Sequence, residues 1–285
     1  MSNPVVLSLT IPSQDRREAC ARLDRWFDRC PEAAVAFSGG VDSALVAFWS
    51  RRVLGPGRCT AWVADSPSLK RSDLQIAERF CAEHGIPLQI LETQEIQDPS
   101  YVRNSPDRCF HCKKTLYQTL ISKLVEIPRD VWICSGANLD DRGDYRPGLL
   151  AAEQAAVRHP LLECGIGKRL IRELAREHGL EVWDKPASPC LSSRIPYGQP
   201  VTPEKLARIE AAEDVLAAAG FPICRVRHQG TAASVEVPST RMGDLVACWS
   251  EIHRKLLGLG FTAAMLDPEG FVSGKLNREI GKASN

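Results

Sequence analysis

Three short stretches of this sequence bring together residue types that could do chemistry. The first is Ser38-Gly39-Gly40-Val41-Asp42-Ser43, set between an apolar run and a helical pattern. The free amides of such a loop and the positive end of the helix behind it converge where an anion sits best. Gly39 and Gly40 allow close backbone approach, Ser38 and Ser43 add hydroxyl donors, and Asp42 suits a metal partner or a helix cap. A Walker-type lysine is missing, which argues against a kinase or GTPase built on this loop. The second stretch is Cys109-Phe110-His111-Cys112, followed by Lys113 and Lys114. At a helix start, dipole and cations would favour thiolates there. The third is Cys190, in the proline-rich run from Lys185 to Arg194, where a loop can fold back over an anion site. Three thiolates suit an iron-sulfur cluster with one iron open, or a zinc completed by His111 or water. The other cysteines lack such spacing and read as ordinary small residues.

Further polar residues surround these. Asp140 and Asp141 lie in a turn-rich loop after an apolar run, where they could orient magnesium or nucleotide or simply shape the turn. Arg225 and Arg227 stand two apart on an expected strand, so both face one side, either as a fork for a substrate phosphate or as a solvated face. Ser193 and Arg194, beside Cys190, are placed to position a reaction intermediate, Arg194 by bidentate contact and Ser193 by hydrogen bond, or to cap their own loop. The six tryptophans are scattered and read as core, without the aromatic-basic alternation that single-stranded nucleic acid stacks on.

Alternating patterns must position these groups. Strand-like runs at Ala33 to Phe37, Cys59 to Ala64, Pro87 to Glu92 and Val131 to Ser135 alternate with helical patterns at Ala44 to Arg52, Ser72 to His84, Cys112 to Leu124 and Lys168 to His178. That order predicts a parallel sheet flanked by helices over residues 1–183. Pro186, Pro189, Pro196, Pro200 and Pro203 forbid a long helix or central strand over residues 184–203, which read as a linker. Residues 204–285 read as α+β: a proline-initiated helix at Pro203 to Ala219, strands at Ile223 to Arg227 and Ser234 to Val237, a helix over Asp244 to Leu257 and a strand at Phe261 to Leu266.

The 285 residues allow one large or two ordinary domains. Hydrophobic content of 44% with 25% charged residues excludes a disordered or collagen-like chain. Thirty-six Lys and Arg against 35 Asp and Glu leave a charge of +1, too balanced to select nucleic acid or an anionic membrane by electrostatics alone. No stretch has the length of a membrane span, and Met1 to Thr10 lacks a signal-peptide layout, so the cytoplasm is the expected address.

After a buried strand, SGGVDS is similar to the PP-loop of the ATP pyrophosphatases, which join AMP to an acceptor oxygen and release pyrophosphate. Together with RCFHCKK, GANLDDRGDYRPG, KPASPCLSSRIPYG, RVRHQG and GFTAAMLDPEGFVSGKLN, in this order over nearly the whole chain, it resembles the LarE family. The resemblance implies an α/β PP-loop fold (adenine nucleotide alpha hydrolase-like), a parallel sheet with a smaller α+β C-terminal domain. It implies ATP-dependent sulfur insertion into pyridinium-3,5-dicarboxylic acid mononucleotide, toward the nickel-pincer cofactor of lactate racemase, with AMP and pyrophosphate released.

Some members of the family sacrifice the sulfur of a single cysteine; others have three and are similar to cluster-bearing thiouridine enzymes. On that pattern Cys109, Cys112 and Cys190 are the expected ligands of a [4Fe-4S] cluster, with zinc or a persulfide as alternatives. These cysteines and Asp42 are the expected catalytic residues, and Ser38, Gly39, Gly40, Ser43, Asp140 and Asp141 the expected ATP-Mg2+ site. Ser193, Arg194, Arg225 and Arg227 would hold the mononucleotide. Glu213, Glu236 and Asp244 match the family's carboxylate cluster for a divalent cation. A sulfur donor, other cofactor-synthesis enzymes and a second copy of the chain are the expected partners, without nucleic acid or membrane.

Three rivals remain at this stage. A PP-loop amide-forming ligase would use nitrogen and need no clustered thiols, and a tRNA-thiolating enzyme would show a basic footprint. A zinc-stabilised nucleotide-binding module would not release pyrophosphate.

Overall fold

A computed structural model describes residues 13–126, 129–143, 146–272, 274–276 and 278. Met1 to Thr10, Asp144, Tyr145, Ser273 and Asn277, which entered the sequence reading, lie outside the described residues. Helix α1 (Ser13–Asp28) leads into strand β1 (Ala33–Ala36), helix α2 (Val41–Leu54), strand β2 (Cys59–Asp65), helix α3 (Arg71–Glu83) and strand β3 (Leu88–Glu92). The short α4 (Pro99–Val102) and the long α5 (Arg108–Leu124) precede β4 (Trp132–Cys134), and α6 (Pro147–Gln154), α7 (Pro160–Glu163) and α8 (Lys168–Glu177) follow it. All pairs in this sheet are parallel, in the order β3-β2-β1-β4. The chain thus moves outward from β1 in one direction and returns to its other side, so a topological switch point lies between the C-terminal ends of β1 and β4.

Strand β1 reads Ala-Ala-Val-Ala and is wholly buried because both faces of the sheet are covered. Ala33 and Val35 pack with Leu23, Leu45, Trp49 and Leu174, while Ala34 and Ala36 pack with Leu116, Leu120, Ile133 and Ala152. The expected strands are all present, shifted by a residue or two. Helix α5 starts four residues before the expected Cys112, which carries both cysteines of the C-x-x-C onto one helix, three residues apart.

A second, three-stranded sheet is built from β5 (Arg225–Gln229), β6 (Ala232–Glu236) and β7 (Ala263–Leu266). Helices α9 (Pro203–Ala218), α10 (Met242–Ala247) and α11 (Trp249–Gly258) accompany it. Leu216, Val226, Val235, Leu245, Ile252 and Leu256 form its core. Two details differ from expectation. Strands β5 and β6 run closer together, as a hairpin around Gly230 and Thr231, and the helix expected over Asp244 to Leu257 is broken at Cys248, whose thiol donates to the carbonyls of Asp244 and Leu245. Between the sheets, residues 185–202 form no strand and only a single 3-10 turn, Leu191–Arg194. No described helix is long and apolar enough to cross a membrane.

The loop that follows β4 is held from below by Glu163. Its carboxylate accepts from the Arg158 guanidinium (2.6 and 3.1 Å), the Trp26 indole (2.8 Å) and the His159 amide (2.9 Å). Arg158 is tied in turn to the Ile133 carbonyl and the Ser135 amide at the end of β4. Partial burial disfavours the charge, but these donors outweigh it and hold the carboxyl at about 2, below its ordinary 4.5. A depressed carboxyl stabilises the fold above its unfolded pKa and loses that contribution as the pH falls toward the folded value. Glu163→Gln should therefore be less stable than the parent at pH 7, with the gap closing between pH 4.5 and about 2, as urea unfolding at both ends of that window will show.

Candidate functional site

At the switch point Gly40 caps α2 and the loop before it turns on Gly39, whose φ of +69° few side chains adopt. A Cβ on Gly39 would also stand 3.2 Å from the Asp73 carbonyl. The Ser43 hydroxyl closes the loop from inside, accepting from the Ser38 amide (3.2 Å), donating to the Gly40 carbonyl (3.1 Å) and touching the Ser38 hydroxyl (3.1 Å). From β4 the chain passes so near that a Cβ on Gly136 would lie 2.6 Å from the Ser43 amide nitrogen. The two strand ends therefore form one crevice.

Two lysines absent from the expected set reach this loop. Lys185 donates to the Gly39 carbonyl (2.9 Å) and pairs with Asp73 (2.9 Å). Lys168, at the first turn of α8, pairs with Asp42 through one carboxylate oxygen, while the other, Oδ1, is buried with no partner among the described residues. Asp140 accepts from the Lys168 amide and so fixes the start of α8 beside Asp42. Asp141 is buried, completes a capping box with Asn138 and pairs with Arg146 (2.9 Å), which makes it a brace of the loop.

From Lys185 the chain runs directly to the cysteines. Ser188 donates to the same Asp73 carboxylate (2.9 Å), and the Leu191 amide to the Ser68 carbonyl (2.9 Å). Five residues span at most about 18 Å, which bounds the separation of the Lys185 and Cys190 backbones. Cys109 and Cys190 are exposed and Cys112 half-buried. Desolvation and then the Cys190 charge push the Cys109 thiol up, with Arg108 and Lys113 opposing. Burial raises Cys112 as well, aided by Glu95 and by the other two cysteines. The helix start was expected to favour thiolates; desolvation and like charge outweigh it. Three mutually felt thiols beside two cations are donors suited to iron or zinc. Among the described residues, however, no three His, Cys, Asp or Glu side chains stand at metal-ligand spacing.

In the second sheet Arg225 and Arg227 do face one side, but they differ. Arg227 forks onto Glu236 (2.5 and 3.1 Å) and donates to the Ser193 carbonyl (3.1 Å). Among the described residues Arg225 donates only to the carbonyls of Cys224 (2.8 Å) and Ala187 (2.9 Å), and it lies 5.0 Å above the Phe271 ring. Burial, reinforced by Arg194, pulls its pKa from 12.5 to about 10. A desolvated guanidinium with no carboxylate of its own is a ready anion site.

Two expectations need correction. Arg194, expected against an intermediate, is 1% exposed, and its guanidinium is spent internally. It forks onto Glu213 (2.8 and 3.1 Å) and donates to the Pro189 carbonyl (2.5 Å), the Cys190 carbonyl (3.1 Å) and the Ser193 hydroxyl (3.0 Å). Among the described residues the expected cation ligands Glu213, Glu236 and Asp244 form no metal-holding group; each pairs instead with a different arginine. Glu213 also takes Lys70 (3.1 Å), Glu236 takes Lys275 (3.5 Å), and Asp244 is an exposed surface partner of Arg241.

A phosphate-type nest at the switch point of a parallel 3-2-1-4 sheet defines a PP-loop nucleotide-binding α/β protein. A family model described as NAD synthase matches residues 29–114, from the end of α1 into α5. A pyridinium-3,5-bisthiocarboxylic acid mononucleotide synthase of Lactiplantibacillus plantarum is 37% identical over 249 residues, 87% of this chain and 90% of that protein. An uncharacterized protein of Synechocystis is 39% identical over 91% of this chain and 97% of its own length. Another, of Methanocaldococcus jannaschii, is 26% identical over 82% of this chain and 88% of its own. The chain belongs to the LarE family.

Two substitutions probe this geometry. Gly136→Ala must push the β4 loop off the start of α2 and should raise the KM for ATP by roughly tenfold or more, read from initial rates of pyrophosphate release. Glu213→Gln leaves Arg194 buried without its counter-ion and should cost about 3 to 5 kcal/mol in urea unfolding; a loss below about 1 kcal/mol would remove Glu213 from the role described.

Proposed function

We propose that the protein adenylates a carboxylate of pyridinium-3,5-dicarboxylic acid mononucleotide and replaces the activated oxygen with sulfur, giving the thiocarboxylic precursor of the nickel-pincer cofactor. The observation that carries this reading is one continuous segment that touches the nest at Lys185 and, two residues past Cys190, is joined at Ser192 to Arg108, the neighbour of Cys109. Membership of the LarE family supports sulfur over nitrogen as the incoming atom.

In this reading the amides from Gly39 to Ser43 cradle the ATP phosphates, and Lys168 and Lys185 supply positive charge beside them. Asp42, with its unpartnered Oδ1, faces the divalent cation that accompanies ATP. Arg225 takes the mononucleotide phosphate and Ser193 lies next to it, while Arg227 is already balanced by Glu236 and serves mainly to hold Ser193. The substrate carboxylate attacks the α-phosphorus, the P–O bond to pyrophosphate breaks, and an acyl adenylate forms. Sulfur at the cysteine trio then forms a C–S bond to the acyl carbon, and AMP leaves with the electrons of the broken C–O bond. A [4Fe-4S] cluster held by Cys109, Cys112 and Cys190 would supply a transferable sulfide, which an external donor then replaces.

Anaerobic incubation with ATP, Mg2+, sulfide and the mononucleotide should yield a product heavier by the sulfur-for-oxygen difference, with AMP and pyrophosphate. An amide product, or none, would overturn the reading. Iron and acid-labile sulfide should be lost in Cys109→Ala, Cys112→Ala and Cys190→Ala alike; stoichiometric zinc instead would refute the cluster. Arg225→Ala should raise the KM for the mononucleotide about tenfold or more while the KM for ATP moves little.

A further inference from the structure

The turn that carries Cys190 is gripped by two buried polar residues one helical turn apart at the junction of α4 and α5. Asn104 is fully buried and adopts a left-handed φ of +59°, a conformation its side chain tolerates better than most. Its amide Nδ2 donates to three carbonyls of the following loop, Ile195 (3.2 Å), Pro196 (2.8 Å) and Gln199 (3.0 Å), and its backbone carbonyl accepts from the Gly198 amide (3.0 Å). Its remaining oxygen, Oδ1, accepts from Arg108 Nη1 (2.5 Å), and the same Nη1 donates to the Ser192 carbonyl (2.8 Å). Arg108 is 3% exposed and immediately precedes Cys109, whereas Ser192 lies two residues beyond Cys190. One guanidinium therefore joins the two cysteine-bearing segments.

The charge of Arg108 is also unusual. No carboxylate forms an ion pair with it among the described residues; the Asn104 and Ser192 oxygens meet the guanidinium, with the Tyr197 ring 5.9 Å away. Both bonds leave one nitrogen, Nη1, which lies one atom further along the side chain than a lysine Nζ, so a lysine there falls short of both acceptors.

We propose that Arg108, keyed by Asn104, is a positioning residue that registers the Cys190 turn against the Cys109 helix. This rests on the reading of the three cysteines as one sulfur site, and the test separates the two.

Dibromobimane bridges thiols that can approach within a few ångströms, and peptide mass mapping identifies the pair. In the full-length, chelator-treated protein it should join Cys190 to Cys109 or Cys112. Arg108→Met and Arg108→Lys should both lower those bridges about tenfold, the worth of one charge-assisted hydrogen bond, while the Cys109–Cys112 bridge within α5 persists as an internal control. In turnover, thiocarboxylate formation should fall about tenfold with the KM for ATP changed by less than about twofold, a split that general unfolding would not produce. If Arg108→Met does not fold, Arg108→Lys carries the same expectations. Undiminished Cys190 bridging in a folded variant would overturn the inference and leave the sulfur site intact. No Cys190 bridge in the parent protein would overturn both.

Discussion

Glu213 holds a full negative charge with no exposure to water, and the arrangement around Cys190 depends on how that charge is met. Stripping a carboxylate of solvent costs several kcal/mol, so it persists only where donors surround it. Arg194 forks onto it from the Cys190 turn, Lys70 reaches it from the start of α3, and the Val226 amide of β5 completes the shell. Burial alone would raise this carboxyl; the cations prevail and hold it low. One anion thus draws together the first sheet, the second sheet and the segment between them, and Arg194 converts that pull into two hydrogen bonds on the backbone at Pro189 and Cys190.

The opposite side of the same turn is secured without charge. Ser68, Tyr101 and Ser192 form a closed triangle of hydroxyls, at 2.5, 2.5 and 3.0 Å, with all three residues buried. Leu191 beside them packs with Tyr101, Val201, Leu206 and Ile209 in a small apolar core that Cys112 edges. The cysteines at the surface are therefore set by a polar and apolar foundation beneath them, which fixes direction more firmly than the loops themselves could.

Much of the first sheet was legible because strands covered on both faces appear as unbroken apolar runs, as Ala33 to Phe37 and Cys59 to Ala64 do. The turn at Gly39 and Gly40 and the placing of Cys109 and Cys112 at one helix start were legible for a different reason: both are set by residues close together in the sequence. The grip on Cys190 was not, since Asn104 meets partners some 91 to 95 positions away and a run such as RNSPDRC holds no trace of them. Glu213 and Arg194 show the same limit. Spacing exposes a carboxylate and an arginine but not that each is the other's counter-ion, which is why a cation site and a substrate contact were expected there. Lys168 and Lys185 stood in plain view, one opening a helix and one opening the proline-rich run, yet only the folded chain turns both toward a loop more than 120 positions earlier. In the second sheet Gly230-Thr231 lacks the Asn-Gly or Asp-Gly signal of a tight hairpin, so the sequence leaves the facing ends of β5 and β6 further apart than they are.

The order in which these contacts can form has a consequence for how the protein matures. Ser68, Tyr101 and Arg108 emerge from the ribosome well before Cys190, while Glu213 and Arg227 emerge after it. The contacts that fix Cys190 therefore draw on α4 and α5 before it and on α9 and β5 after it. The Cys190 turn is thereby anchored from both directions along the chain, and its geometry is complete only once the second sheet stands beside the first.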